Sequence, residues 1–167
     1  MRSWEQDEEE THFLNVDVDV WSKSSLEPLV AAFGRKVFVH YVGPEGKEYG
    51  AHFPLANSYK KDADTLTRKL AALVARLPAA ARKLWDQARA KDFNVGIQGG
   101  IEPHSHEIAL KQETVSMVAR VGGRIVVTTY AAQVAPPERD ETNRGRKMPP
   151  SNRMQRTRSA QAPGPRR

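Results

Sequence analysis

The sequence predicts an α+β fold, a mixed or antiparallel sheet with helices packed on one face, and three observations predict it. Residues 13–21 alternate apolar and polar side chains as a half-buried strand does. Residues 64–77 repeat their leucines at helical spacing. Segments of both kinds follow one another over residues 13–98 as strand, helix, strand, strand, helices, strand, the order of the ferredoxin-like or split βαβ arrangement. An added strand, helix and strand extend that order to residue 131.

In the first strand Leu14, Val16, Val18 and Val20 fall on one side and Asn15, Asp17 and Asp19 on the other. Ser24 followed by Glu27 has the form of a capping box, and Leu26, Leu29, Val30 and Phe33 follow at helical spacing up to Gly34, so a helix is expected over 25–33. Val37 to Val42 and Lys47 to Leu55 read as a hairpin around Gly43-Pro44-Glu45-Gly46. A three-residue loop of Pro44, Glu45 and Gly46 sets Tyr41 opposite Tyr49, Val39 opposite Ala51 and Val37 opposite Phe53, with every apolar residue on one face.

Leu66, Leu70, Leu73, Val74 and Leu77 make residues 64–77 an amphipathic helix, which Pro78 interrupts. Ala81, Leu84, Trp85 and Ala88 supply the stripe of the next helix, before Asp92. Strands are expected at Phe93 to Gln98 and His106 to Leu110, a helix over 112–121 stopped by Gly122-Gly123, and a last strand from Arg124 to Ala131.

The 167 residues suit one domain of ordinary size with room for tails. Residues 11–132 are read as that domain, residues 1–10 as an acidic flexible N-terminus and residues 133–167 as a disordered basic Pro/Arg-rich tail. The net charge of +6 is a property of the tail. Residues 134–167 hold nine Lys/Arg and three Asp/Glu, leaving 17 of each sign in residues 1–133. The chain has no cysteine, which rules out disulfides, thiolate metal sites and cysteine nucleophiles and makes a cytoplasmic setting the expectation. No signal peptide is read at the N-terminus, and no apolar run reaches the roughly 20 residues that a membrane helix needs.

Several side-chain groupings are candidates for chemistry. Asn15, Asp17 and Asp19 present oxygens from one strand face, although a water-facing strand shows the same pattern. His40 and His52 lie diagonally across the hairpin face, and His104 and His106 form an H-x-H beside Glu107. A site built from both pairs would be a transition-metal centre, but no H-E-x-x-H or H-x-x-E-H accompanies them, and no metal or cofactor is expected. Glycine-rich phosphate loops and a G-x-S-x-G elbow are absent, and the protein is not expected to be an enzyme.

Nucleic acid is the partner that charge suggests. Arg144, Arg146, Lys147, Arg153, Arg156 and Arg158 lie in a stretch free of acidic residues and are candidates for non-specific phosphate contacts. Residues 47–53 faintly resemble the aromatic signature of RNA recognition motifs. Glu48 stands where that pattern has glycine, and Ala51 where it has a stacking aromatic.

The segment FLNVDVDVWSKSSLEPLVAAFG, together with FNVGI, EIAL and IVVTTYA, resembles uncharacterised bacterial domains, the domain of unknown function numbered four-two-seven-nine. The resemblance covers residues 12–131 and transfers no catalytic or binding residue. It implies a bacterial cytoplasmic α+β domain that serves as a binding or interaction module. The partner is then an unidentified protein or small-molecule ligand, with no membrane involved. The alternative is a nucleic-acid-binding accessory protein acting through its tail, and a metal-dependent enzyme ranks third.

Overall fold

The structure, a computed structural model, describes residues 10–132. The alternating segment forms β1 (His12–Ser22), with Val16, Val18 and Val20 fully buried and Asp17 and Asp19 turned to the opposite face. Helix α1 (Glu27–Phe33) follows. It begins without the expected capping box: the Ser25 hydroxyl accepts from the Glu27 amide instead. It ends at Gly34, whose φ of +58° is costly for any residue with a side chain.

β2 (Tyr41–Glu45) and β3 (Glu48–Pro54) form the hairpin in a register different from the expected one. Tyr41 pairs with His52, Val42 with Ala51 and Glu45 with Glu48. The turn is Gly46-Lys47, and Gly46 at φ +63° suits the first central position of a II′ turn. Pro44 belongs to the strand, where it is tolerated because β2 is an edge and needs no second row of N–H groups. Upstream, Val37 bridges Leu55, so the register steps by one residue before Tyr41. That step buries Val37 and Val42 toward the core while releasing Tyr41 to the other face.

Helices α2 (Ala63–Ala75) and α3 (Ala79–Gln87) stand where the apolar stripes place them, on either side of Pro78. The Asp62 carboxylate caps α2 by accepting from the Thr65 amide at 2.7 Å. β4 (Ala90–Gln98), α4 (Gln112–Arg120) and β5 (Arg124–Tyr130) complete the described chain.

The strand expected at His106–Leu110 does not form, so the addition to the sheet is a loop, a helix and a strand. The alternation read there is real, because Ile108 and Leu110 pack against the core while their neighbours are exposed. β4 nevertheless takes β1 and β5 as its neighbours, and this segment joins no strand of the sheet. Its end is fixed differently, by the Lys111 amide donating to the Asp64 carboxylate at 2.9 Å.

The five strands form a mixed sheet in the order β2-β3-β1-β4-β5, antiparallel except for the parallel pair β4 and β5. One core lies between the helices and one face of the sheet. Val16, Val18, Val20, Phe53, Phe93 and Val95 meet Leu29, Phe33, Leu66, Leu70, Val74 and Trp85 there. Trp85 is completely buried against Phe93, edge to face at 6.3 Å, and its indole N–H donates to the Val121 carbonyl at 2.6 Å. Among the described residues, no helix is long and apolar enough to cross a membrane.

Candidate functional site

The sheet face turned away from the helices carries a connected row of polar side chains, because strand alternation sends every second residue of β1, β3 and β4 to that side. Asp19 sits at its centre, paired with His52 on β3 and with Asp92 on β4. Its Oδ1 lies 2.8 Å from His52 Nδ1, and its Oδ2 accepts from the Asn94 amide at 3.2 Å. The Thr128 hydroxyl in turn donates to Asn94 Oδ1 at 2.8 Å. On the other side His52 Nε2 lies 3.1 Å from Glu45 Oε2. A chain of contacts thus runs from β2 to β5 across the sheet.

Gly50 makes room for the first link. A Cβ there would fall 2.0 Å from Glu45 Oε2 and 3.1 Å from His52 Nε2, so the missing side chain is the space in which the carboxylate reaches the ring. Both ring nitrogens of His52 therefore face carboxylates, which are acceptors only. A neutral imidazole has one N–H and would leave one contact as two opposed lone pairs, whereas the imidazolium donates to both. Burial works against that charge, but the hydrogen bonds to Asp19 and Glu45 outweigh it and hold the His52 pKa above its ordinary 6.5.

Asp17 occupies the next position along β1 on this face. It accepts weakly from the Asn15 amide at 3.4 Å, and its Oδ1 lies 3.8 Å from His40 Nε2. Burial and then the nearby charge of Asp19 raise its pKa, an effect that His40 and His52 partly offset. Among the described residues, no Lys or Arg forms an ion pair with Asp17 or Asp19. The neighbouring acids differ in this respect: Asp92 is held by Arg124 at 2.5 Å and Glu48 by Arg89 at 2.7 Å. Aromatic rings border the acids. Trp21 meets the His52 ring edge-on at 5.5 Å, Tyr41 lies 5.9 Å from it and Phe38 packs on His40 at 5.2 Å.

Of the residues singled out in the sequence, Asn15, Asp17, Asp19, His40 and His52 are thus brought onto one face. His104 and His106 are not. Their loop follows Glu102, which bridges Glu10 next to the start of β1, whereas His52 pairs with Asp19 nine residues further on. At a strand's rise per residue Glu10 and Asp19 are about 30 Å apart, and among the described residues the two histidine pairs join in no metal-holding group. Among the described residues no three His, Asp or Glu side chains are arranged to hold a metal ion.

The face also departs from an RNA-recognition platform, since its central strands carry Asp17, Asp19, Gly50 and His52 where stacking rings would be needed. Tyr49 and Phe53, the aromatics of the signature-like segment, belong to the core side instead. Arg144, Arg146, Lys147, Arg153, Arg156 and Arg158 lie outside the described residues.

Sequence reasoning missed Glu45, Asn94 and Thr128. The register expected from the sequence assigns Glu45 to the turn. Asn94 and Thr128 each sit in strands that were expected, but only the sheet order puts one beside the other. No family model, no curated protein and no solved structure matches the chain.

Proposed function

We propose that this domain is a non-enzymatic binding module of a bacterial cytoplasmic protein, and that the open sheet face is its recognition surface for a cationic segment of a partner protein. The observation that carries the reading is the Asp17–Asp19 pair, two adjacent half-buried carboxylates without a Lys or Arg counterion among the described residues. An incoming ammonium or guanidinium would relieve their repulsion and gain charge-assisted hydrogen bonds. The rings of Phe38 and Tyr41, both well exposed, offer faces for cation–π contact at the margin. Side chains held by one another in this way are pre-organised and cost little further entropy on binding. The absence of cysteine supports the cytoplasmic setting, and the resemblance to bacterial domains supports the origin and the role.

Asp17→Asn separates this surface role from a structural one. Because the Asp17 pKa is raised on folding, its ionised form weakens the fold, and removing the charge is expected to raise the melting temperature by a few degrees at most at neutral pH. The same variant is expected to weaken binding of a lysine- and arginine-rich probe peptide by about tenfold, the loss of one charge-assisted hydrogen bond. Amide shifts in an NMR titration should centre on Asp17, Asp19, Tyr41 and His52. A glutamate-rich peptide that binds equally well, or shifts confined to other surfaces, would refute the assignment.

The basic tail favours a second reading, nucleic-acid binding in which the tail supplies the phosphate contacts. The acids of the open face would repel phosphate. On this reading, truncation after residue 133 abolishes salt-dependent nucleic-acid affinity, whereas the first reading expects the peptide affinity of the domain to survive the cut.

A further inference from the structure

A cavity of about 420 Å³ lies beside α2, and none of its lining residues belongs to the open sheet face. Arg35, Lys36, Lys61, Lys69 and Arg76 line it, and among the described residues no carboxylate does. Lys69 and the C-cap residue Arg76 are seven residues apart, about two helical turns, and so lie along one side of α2 and its end. Ala72 and Leu73 lie between them and form an apolar wall with Leu55. The opposite wall is the short 3₁₀ turn of Gly34–Lys36, tied to the Leu55–Asn57 segment by the Val37–Leu55 bridge and by the Ala56 amide donating to the Lys36 carbonyl at 3.0 Å. Asn57 holds Lys61, whose Nζ donates to its backbone and side-chain oxygens.

Three arginines elsewhere on the described surface are held by carboxylates, Arg82 by Asp86, Arg89 by Glu48 and Arg124 by Asp92. Arg35, Lys36, Lys69 and Arg76 form no ion pair among the described residues. Like charges gathered in one concavity repel, and they raise the local potential for an anion. Arginine binds phosphate through two parallel N–H groups and lysine through a point charge, and both types are present. The volume falls in the range of small-molecule sites.

We propose that this cavity binds a small phosphorylated molecule, its phosphates held by Lys69, Arg76 and the Arg35-Lys36 turn, and its apolar or aromatic part resting on Leu55, Ala72 and Leu73. The site shares no lining residue with the open face.

Calorimetric titration of the full chain with ADP, inorganic pyrophosphate and adenosine tests it. ADP is expected to bind at low salt more tightly than either fragment, since only ADP uses both the cationic rim and the apolar wall. Lys69→Ala and Arg76→Ala should each weaken ADP by about tenfold, the scale of one charge-assisted contact. Both side chains are exposed, so the thermal midpoint should stay unchanged. Lys83→Ala removes an exposed charge of α3 that does not line the cavity, and it should leave ADP binding as it is. No heat with ADP at low salt would overturn the proposal. So would pyrophosphate binding as tightly as ADP, or a loss on Lys83→Ala equal to that on Lys69→Ala, which marks a general basic surface.

Discussion

Trp85→Ala is expected to cost about 3–5 kcal/mol, the range for removing a large buried aromatic, out of a total stability of about 5–15 kcal/mol for a domain. Trp85 has no exposed surface, and it ties α3 to the sheet through Phe93 and to the end of α4 through Val121. Truncation leaves a cavity and also strips the Val121 carbonyl, in a residue only 4% exposed, of its donor. Urea denaturation followed by far-UV circular dichroism should show a large fall in midpoint, or no folded baseline. Trp85→Phe separates the two contributions: it keeps most of the apolar volume, loses the donor, and should cost about 1–3 kcal/mol. A cost for Trp85→Ala below that of Trp85→Phe would contradict this account of the core.

Gly123→Ala is the second large effect, and adding one methyl group produces it. An added Cβ would stand 2.5 Å from Phe93 Cε2, 2.8 Å from Phe93 Cδ2 and 3.2 Å from Val118 Cγ1. Phe93 is fully buried and wedged against Trp85, so its ring has nowhere to go and α4 must shift away from the sheet. Overpacking of this kind costs about 1–3 kcal/mol. The neighbouring glycine is needed for a different reason. Gly122 has φ +71°, and its amide donates to the Ala119 carbonyl as the helix unwinds, so Gly122→Ala is penalised by backbone conformation with no comparable clash. A Gly122→Asn replacement, which tolerates positive φ, should be milder than Gly123→Asn by thermal melting. The reverse order would show the crowding at Phe93 to be misassigned.

The pair Gly122-Gly123 shows how far the sequence could be read. It marked the end of a helix, and α4 does end there, but only the packing reveals that one glycine answers to φ and the other to Phe93. Helices with wide apolar stripes were legible to within a few residues, because Leu66, Leu70 and Val74 recur at the period the backbone imposes. The hairpin register was less legible. Tyr41, Val39 and Val37 give a consistent alternation in the wrong alignment, and one extra residue taken up before Tyr41 reverses which of them faces the core. The segment from His106 to Leu110 shows that period two reports an extended chain buried on one side and says nothing about a pairing partner.

The candidate site was legible in part for the same reasons. Asp17 and Asp19 were visible as one face of β1, and His40 and His52 as hairpin neighbours. That these groups meet depends on β1 lying between β3 and β4, a relation between distant segments that local periodicity does not encode. The cavity beside α2 is not legible in the sequence, because charged residues on a helix exterior have an ordinary explanation, a solvated outer face. Only the fold brings Arg35 and Lys36 beside Lys69 and Arg76.

The pre-organised acidic face rests on His52 being held as a cation between Asp19 and Glu45. Because folded His52 binds its proton more tightly than the unfolded chain does, its contribution to stability is fully present below about pH 6.5 and is lost as the pH rises through the higher folded value. A proton NMR titration of the His52 ring in the native protein and in Gly50→Ala measures this directly. The native midpoint should lie above 6.5, and it should fall when the new methyl displaces the Glu45 carboxylate from the ring. A native midpoint at or below 6.5, unmoved by Gly50→Ala, would contradict the clamp.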